Sequence, residues 1–282
     1  MLELIAQKIF PHLPIKPRLR CIGCLSLVPC GIKVCDTCFQ GYDKFVMLSG
    51  GKDSAYILNQ LRGTNVLAIF VDTGFVSKKV LENVRFCAKA TNTSLLILDQ
   101  YRHIFHDRMK KALLDLKGKP CYEHLDGVEG DLIFSLVGDL ARRYNKQMVC
   151  GLSKLQLEEI FNIGTGCTFI DKGVVFECPL AQTAVSEDYI KSYVEDFKLL
   201  KYSGPLQTNS DLILLMAILD IKNLGYSSFE KEFSRGIRLG TSDRQYWVNM
   251  FDFIYWVVNK GWLDGTANRL LKRFDLTLKD VL

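Results

Sequence analysis

Residues 44–54, KFVMLSGGKDS, combine an apolar run with two adjacent glycines and a Lys-Asp-Ser sequence. The apolar residues 45–48 show no polar alternation, which is typical of a strand buried on both faces of a parallel sheet. Residues 53–62 then carry apolar side chains at helical spacing. The stretch therefore predicts a strand, a tight turn and a helix, and with them an α/β fold.

The glycine turn is the candidate phosphate-binding element. Glycines without a Cβ let backbone N–H groups approach an oxyanion, and a helix N-terminus adds partial positive charge. The spacing matches neither the Walker pattern nor G-x-G-x-x-G. The residues predicted to hold phosphate are Ser49, Gly50, Gly51, Lys52, Asp53 and Ser54.

A second apolar run, residues 65–71, ends in Asp72-Thr73-Gly74. In open α/β sheets, ligands bind beyond the carboxyl ends of the strands. We therefore expect Val71, Asp72 and Thr73 to lie beside the glycine turn, where the adenosine of a bound nucleotide would be held.

The rest of the chain alternates strand and helix patterns up to about residue 200. Further strands are predicted at residues 94–98 and 147–151. Predicted helices cover 77–90 with Ser77 as N-cap, 103–116, 129–145, 154–160, 211–224 with Asn209 or Ser210 as N-cap, and 243–259. Four strands alternating with helices predict a doubly wound parallel sheet. The predicted domains are 1–40, 41–200 and a helical region, 201–282.

The SGGKDS and VDTGF segments resemble the fingerprint of the PP-loop ATP pyrophosphatases. Enzymes of this family cleave ATP between its α and β phosphates and transfer AMP to an oxygen of an acceptor. The resemblance implies an adenine nucleotide alpha hydrolase-like fold, bound ATP and Mg²⁺, and catalytic roles for Lys52 and Asp53, with Asp53 holding the metal. Cys178 stands where the family usually has a cation.

The same resemblance places further nucleotide-binding residues after the fourth strand. Gly151 would let the nucleotide pass close to the backbone, Lys154 would neutralise phosphate, and Glu158 would bind magnesium. Lysines and glutamates on a helix more often form a solvated face, so this alternative stays open for Lys154, Glu158 and the adjacent Glu159.

Two C-x-x-C pairs near the N-terminus predict a structural zinc site. Their cysteines are Cys21, Cys24, Cys35 and Cys38, among ten in the chain. Four thiolates presented by two tight turns suit tetrahedral Zn²⁺, and metal binding would supply the folding free energy of so short a segment. An iron–sulfur cluster and plain reduced cysteines are the alternatives. Cys30, between the pairs, is interpreted as a bystander.

The segment Pro120-Cys-Tyr-Glu-His124 is ambiguous. Several sulfur-inserting PP-loop enzymes carry C-x-x-C here, whereas this chain has C-x-x-H. Cys121 is a candidate nucleophile and His124 a candidate base, and either could bind a metal. The alternative is an ordinary loop.

A narrower resemblance is to N-acetyl sugar amidotransferases, through the paired C-x-x-C and the IRLGTSDR segment at residues 237–244. It implies that Arg238 and Arg244 bind an anionic acceptor such as a sugar nucleotide, by bidentate bonds. Structural salt bridges are the alternative. Ammonia is expected from a separate glutaminase, because Leu2 and not cysteine follows Met1.

Composition and charge describe an ordinary globular protein. The net charge of +5 is mild, so a tRNA partner is neither favoured nor excluded. Neither a secretory signal nor a membrane span is predicted, and we expect a cytoplasmic protein. The apolar residues 243–259 are interpreted as core or as a contact in a homodimer. Three hypotheses follow: an amidotransferase, a sulfur transferase acting on tRNA or a small molecule, and a non-catalytic adenine-nucleotide-binding module.

Overall fold

In a computed structural model of the 282-residue chain, the structure describes residues 19–21, 24, 27–28, 34–116, 118–161, 166–183, 185–203, 210–238, 240 and 243–282. Cys30 and Asn209, to which roles are assigned above, lie outside these residues. No helix in the described ranges is both long enough and apolar enough to span a membrane.

Within these residues the strands form a short hairpin and one six-stranded sheet. The strands are β1 (Leu19–Arg20), β2 (Leu27–Val28), β3 (Lys44–Met47), β4 (Val66–Val71), β5 (Ser94–Leu98), β6 (Gln147–Val149), β7 (Thr168–Asp171) and β8 (Val174–Glu177). The sheet order is β5-β4-β3-β6-β8-β7. All neighbouring pairs are parallel except β7 and β8. The predicted α/β class with a mostly parallel sheet is confirmed.

Helices connect the strands and form the C-terminal part of the chain. They are α1 (Asp36–Gly41), α2 (Lys52–Gln60), α3 (Lys78–Ala90), α4 (Arg102–Leu114), α5 (Cys121–Tyr144), α6 (Lys154–Phe161), α7 (Pro179–Gln182), α8 (Glu187–Asp196), α9 (Leu212–Leu224), α10 (Glu230–Arg238), α11 (Arg244–Asn259), α12 (Asp264–Leu271) and α13 (Leu278–Val281), with a 3₁₀ turn at Lys272–Phe274. Ser77 caps α3 as predicted, because its Oγ accepts a hydrogen bond from the amide of Val80.

Both faces of the sheet are covered by hydrophobic core. The consecutive residues Phe45 and Val46 are fully buried in two different cores. Val46 lies in the core formed with α2, α3 and α8. Phe45 lies in the core formed with α4 and α5, which also contains residues of α9 and α12. Burial on both faces explains why the strand shows an unbroken apolar run.

Two parts of the fold differ from the sequence-based expectation. α5 begins at Cys121 instead of residue 129, so the Cys121–His124 segment is the first turn of a helix and not a loop. The β7–β8 hairpin was not predicted. Its turn places Lys172 and Gly173 at positive φ, the conformation of a type I′ hairpin turn.

The extra turns of α5 carry it past the carboxyl edge of the sheet. Its 24 residues span about 36 Å, whereas a strand of six residues spans about 20 Å. At its C-terminal end Tyr144 stacks on Phe39, 4.3 Å between ring centroids, near the start of β3. In its third turn, Glu129 bonds to Thr73, beyond the end of β4. The first turns of α5 therefore form a wall above that edge.

Candidate functional site

The β3–α2 loop lies where the strand order of the sheet reverses. From β3 the chain proceeds to β4 and β5 on one side, whereas β6 and β8 pair on the other side. In open α/β sheets this switch point is where ligands bind. The loops that follow β3 and β6 therefore face each other across the candidate site.

Two serines close the β3–α2 loop on itself. Ser54 Oγ accepts from the amide of Ser49 and donates to the carbonyl of Gly51, both at 3.1 Å. The amide of Gly51 donates to Ser49 Oγ at 3.3 Å. The amides of the first turn of α2, those of Lys52, Asp53 and Ser54, have no intrahelical acceptor. This arrangement suits an anion at the helix N-terminus.

Glycine is required on both sides of the site. Gly50 has φ +81°, and a Cβ there would lie 3.0 Å from the carbonyl oxygen of Val80. A Cβ on Gly151 would lie 2.9 Å from the amide nitrogen of Ser54. The β6–α6 loop thus reaches the backbone at the start of α2 only because residue 151 lacks a side chain.

Charged side chains surround the loop. Lys52 Nζ lies 2.9 Å from Asp53 and 3.7 Å from Glu187 on α8. Lys191 pairs with the same Glu187 at 3.1 Å. Partial burial acts to raise the pKa of Glu187, but Lys52 and Lys191 together outweigh burial and hold this pKa below its usual value. Lys52 and Asp53 therefore form an ion pair at the start of α2, and their roles in binding phosphate and Mg²⁺ stay predictions.

Asn83 on α3 holds the β3–α2 loop through a hydrogen bond. The sequence analysis did not identify this residue. It is fully buried. Its Nδ2 donates to the carbonyls of Gly50, at 3.3 Å, and Tyr202, at 2.8 Å, and its Oδ1 accepts from the amides of Lys201 and Tyr202. The sequence signal that could have identified Asn83 is its position as a polar residue among the apolar residues that α3 buries.

The end of β4 lies at the same edge of the sheet, because β3 and β4 are parallel neighbours. The side chain of Asp72 is buried and pairs with Arg102, while its Oδ1 accepts from the amide of Gly74 at 3.0 Å. Thr73 and Val71 are also buried. Contacts of these three residues with a nucleotide would therefore use their backbone.

Two carboxylates on α5 face this edge. Glu129 is 7% exposed. Burial raises its pKa and Asp126 adds to the rise, although hydrogen bonds from Thr73 and Ser210 partly offset it. Asp126 is reached by solvent yet lies among enough protein atoms for desolvation to raise its pKa.

The other nucleotide- and substrate-binding residues predicted from the sequence lie on α6, α10 and α11. Lys154 is exposed at the first position of α6. Glu158 forms an ion pair with Arg235 of α10. Arg238 ends α10 and Arg244 begins α11, and both are exposed. Direct roles in binding stay predictions for these residues.

The cysteines close to the site are buried. Cys121 is fully buried, and burial, with a further effect from Asp220, raises its thiol pKa. Cys178 Sγ lies 3.1 Å from Cys150 Sγ; this bond, with burial, raises the pKa of Cys178. Because the thiolate is the nucleophile, such thiols are poorly suited to catalysis. His124 Nε2 is buried without a hydrogen-bond partner among the described residues.

Four cysteines form a separate cluster. The Sγ atoms of Cys21, Cys24, Cys35 and Cys38 all lie within 4.8 Å of one another. Four thiolates on a tetrahedral Zn²⁺, with Zn–S bonds of about 2.3 Å, would lie about 3.8 Å apart, so the cluster could hold a metal ion. The next helix, α1, packs Phe39 on Tyr144 near the start of β3. The cluster is therefore at the edge of the sheet opposite the glycine loop.

No protein-family model matches the chain, and no curated protein matches it. Among solved structures, NMN synthetase from Francisella tularensis is similar with 14% identity and a TM-score of 0.44, over 84% of this chain and 89% of that one. The ADP complex of glutamine-dependent NAD⁺ synthetase from Acinetobacter baumannii is similar with 16% identity and a TM-score of 0.44, over 82% of this chain and 42% of that one.

NH₃-dependent NAD synthetase from Campylobacter jejuni gives 17% identity and a TM-score of 0.40, over 82% of this chain and 93% of that one. Similarities this low leave function to be inferred from the site itself.

Proposed function

We propose that this protein cleaves ATP between the α and β phosphates, releases pyrophosphate and transfers AMP to an oxygen of an acceptor. Ammonia would then attack the acceptor and displace that oxygen together with AMP. The observation that carries the proposal is the loop at the switch point of the sheet. There Gly50 and the start of α2 form a cradle that Gly151 borders from the loop after the neighbouring strand β6. A cradle of amides at a helix N-terminus is suited to a polyphosphate.

The residues at the loop fit ATP with magnesium. Amides of the first turn of α2 would bind the β and γ phosphates, and Lys52 would neutralise their charge. Asp53 would hold Mg²⁺, which favours charge build-up on phosphate oxygens. The ion pairs of Lys52 with Asp53 and Glu187 place its ammonium group at the cradle. Positioning and charge stabilisation by these groups would supply most of the catalysis.

For the second step of the reaction, the site supports amidation better than sulfur transfer. Sulfur transfer would need a reactive thiol, and Cys121 is buried with a raised pKa. Ammonia would come from a separate glutaminase. The acceptor would lie at the carboxyl edge of the sheet beside the first turns of α5, where the exposed Asp126 can accept hydrogen bonds from hydroxyl or amino groups.

The four-cysteine cluster would hold structural zinc. Its position at the opposite edge of the sheet separates it from the proposed chemistry. The metal would stabilise the N-terminal segment against the core through α1, where Asp36 accepts a hydrogen bond of 2.5 Å from Tyr144.

The exposed face of α11 would contact a second copy of the chain. Tyr246, Asn249, Phe253, Trp256 and Lys260 follow one another at spacings of three and four and are all exposed. This spacing is that of a helix–helix seam. Pairing two copies antiparallel about Phe253 would place each Tyr246 against the second copy's Lys260, a favourable cation–π arrangement.

Incubation with ATP labelled in the adenosine and with candidate acceptors plus ammonia tests the proposed reaction. We expect AMP and pyrophosphate, and an aminated product by mass spectrometry. Lys52→Gln should lower AMP formation by about 100-fold or more, since it removes the positive charge that would neutralise the β and γ phosphates as they leave as pyrophosphate. Lys191→Gln is the matched control, because it also removes a cation paired with Glu187, and should retain activity.

Three results would contradict the proposal. ADP in place of AMP would show cleavage at the wrong bond. Tight ATP binding with no pyrophosphate under any acceptor would indicate a nucleotide-binding module. Equal losses in Lys52→Gln and Lys191→Gln would show that Lys52 has no specific role.

A further inference from the structure

A cavity of about 260 Å³ opens beside the end of β4, on the side away from β6. It is bordered by the turn Thr73, Gly74 and Phe75, by the first turns of α4 and by one residue that follows α12. The side chains contributed by these helices are Arg102, His103, His106 and Arg273. None of the residues that line it carries a carboxylate.

Arg102 is held in place at this cavity by a buried acid. Its Nη2 donates to Asp72 Oδ2, and the Asp72 side chain is only 3% exposed while that of Arg102 is 51% exposed. A guanidinium has five N–H donors. Asp72 thus orients Arg102 and leaves further donors for a ligand.

Arg273 is held in a similar way on the opposite wall. Its Nη2 donates to the carbonyl of Gly74, and its guanidinium lies 4.9 Å from the ring centroid of Phe75. Nη1 lies 3.7 Å from Asp211. The carbonyl of Arg273 also accepts from His106 Nε2 at 2.8 Å. This side of the cavity is therefore ordered before any ligand binds.

The acidic groups near these cations are held outside the lining. Asp72 and Asp211 contact the two arginines, Asp107 lies 3.4 Å from His106 Nδ1, and Asp99 is close enough to Arg102 to affect it. These acids reduce the net positive charge around the cavity, but the guanidinium and imidazole groups that line it keep donors for a ligand. Donors with a fixed fork geometry recognise phosphate oxygens better than mobile lysines do.

We propose that this cavity binds the phosphate or diphosphate group of the acceptor molecule. The inference rests on the proposed function, which places the acceptor at the carboxyl edge of the sheet near Thr73. The cavity is smaller than pockets that enclose a whole drug-sized ligand, about 300–1,000 Å³, so it suits one group of a larger molecule. Arg238 and Arg244, which the sequence suggested for an anionic acceptor, lie on α10 and α11 and are not among the residues that line this cavity.

Calorimetry on the full chain tests the proposal with the nucleotide site filled. The protein is first saturated with Mg²⁺ and α,β-methylene-ATP, and then titrated with uridine 5′-diphosphate or with inorganic pyrophosphate. We expect uridine 5′-diphosphate to bind without displacing the ATP analogue. Arg273→Gln should weaken this binding about tenfold or more, the effect of one charge-assisted hydrogen bond.

Matched variants separate the cavity from general charge and from folding. Arg269→Gln makes the same change at an exposed position of α12 outside the lining and should leave binding unchanged. His103→Glu introduces a carboxylate at an exposed position of the lining and should abolish binding while thermal unfolding stays as in the wild type.

Four outcomes would overturn the inference. They are no second binding event, displacement of the ATP analogue by uridine 5′-diphosphate, binding unaffected by both cavity variants, and binding of pyrophosphate alone, which would assign the cavity to free pyrophosphate. Binding of α,β-methylene-ATP and its loss in Lys52→Gln are measured in the same samples. A failure of the ATP analogue to bind would thus count against the proposed function, separately from the result for the cavity.

Discussion

Gly151 is the residue at which the two loops of the candidate site touch. Because a Cβ would lie 2.9 Å from the amide of Ser54, Gly151→Ala should push the β6–α6 loop away from α2. Overpacking of this kind costs about 1–3 kcal/mol in stability, and a displacement of about 1 Å lowers turnover by about 100-fold. AMP formation and thermal unfolding measure the two effects.

Gly265 provides the control for this substitution. It lies in α12, and a Cβ there would have open space around it out to 4 Å. Gly265→Ala should therefore keep full activity and gain up to about 1 kcal/mol from helix propensity. Equal activity of the two variants would contradict the role assigned to Gly151.

Glu129 makes stability depend on pH in a predictable direction. Its pKa in the folded protein is raised above the ordinary value of 4.5, so between these two values the native state holds a proton that the unfolded chain releases. Stability therefore falls as pH rises through this window and does not recover above it. Glu129→Gln removes the effect, and its gain over wild type should grow between pH 4 and pH 8.

Denaturant titrations at several pH values give this difference. Asp131→Asn, which alters an exposed acid on the same helix, is the matched control. A gain from Glu129→Gln that is constant with pH, or that shrinks as pH rises, would contradict the assignment.

At the scale of elements, Asp220 joins the C-terminal helices to the start of α5. It is a fully buried carboxylate on α9. It accepts from the amide of Cys121, at the start of α5, and from the amide and hydroxyl of Ser228, at 2.7 and 2.5 Å. α5 can begin at Cys121 because its first amide has this acceptor.

Asp220→Ala should therefore lower the free energy of unfolding by about 3 kcal/mol or more, since it leaves buried donors without an acceptor. Asp220→Asn keeps one oxygen and should show an intermediate loss. Chemical denaturation gives both values. A loss below about 1 kcal/mol for the alanine variant would show that α5 begins at Cys121 for another reason.

The four-cysteine cluster is the second feature that acts at the scale of elements. Cys35→Ser should remove the metal and lower the free energy of unfolding by about 4 kcal/mol or more, the range of losses associated with a metal site. Because the cluster lies at the opposite edge from the glycine loop, AMP formation per folded molecule should be unchanged at low temperature.

Metal content by mass spectrometry and thermal unfolding check this prediction. Cys167→Ser is the matched control, because Cys167 is a partly buried cysteine outside the cluster. A wild-type protein without metal after expression with zinc, or a loss of AMP formation matching the loss of metal, would contradict the structural role.

At the scale of the whole molecule, α11 leaves aromatic side chains on the surface. Phe253 is 60% exposed and Trp262 is 66% exposed, and the Trp256 and Trp262 rings pack together at 4.7 Å. If this face pairs two copies, Phe253→Glu should raise the dimer dissociation constant at least tenfold, because it buries an unpaired charge at the twofold axis.

Light scattering during size-exclusion chromatography gives the oligomeric state. Ile170→Glu makes the same change at another exposed apolar residue, on β7, and should leave the dimer intact. A wild-type monomer at micromolar concentration would contradict the pairing.

Local patterns in the sequence determined the unit on which the fold depends. The apolar run, the two glycines and the following helix are neighbours in the chain, and so are the C-x-x-C pairs and the Ser77 cap, so short-range geometry was enough to predict them. The early start of α5 was not predictable in this way, because it depends on a distant carboxylate. The β7–β8 hairpin has a local signal, the Lys172-Gly173 turn, which the sequence analysis did not use.

The tertiary structure decided which side chains meet at the site. Gly151 against Ser54, Asn83 under Gly50, Arg102 on Asp72 and Asp220 on Cys121 all join residues far apart in sequence, and no local pattern specifies such pairs. Burial also decided that Cys121, a candidate nucleophile by sequence, has a thiol with a raised pKa. The reason is physical: residue type sets which chemistry is available, whereas packing sets solvation and neighbours, and these control reactivity.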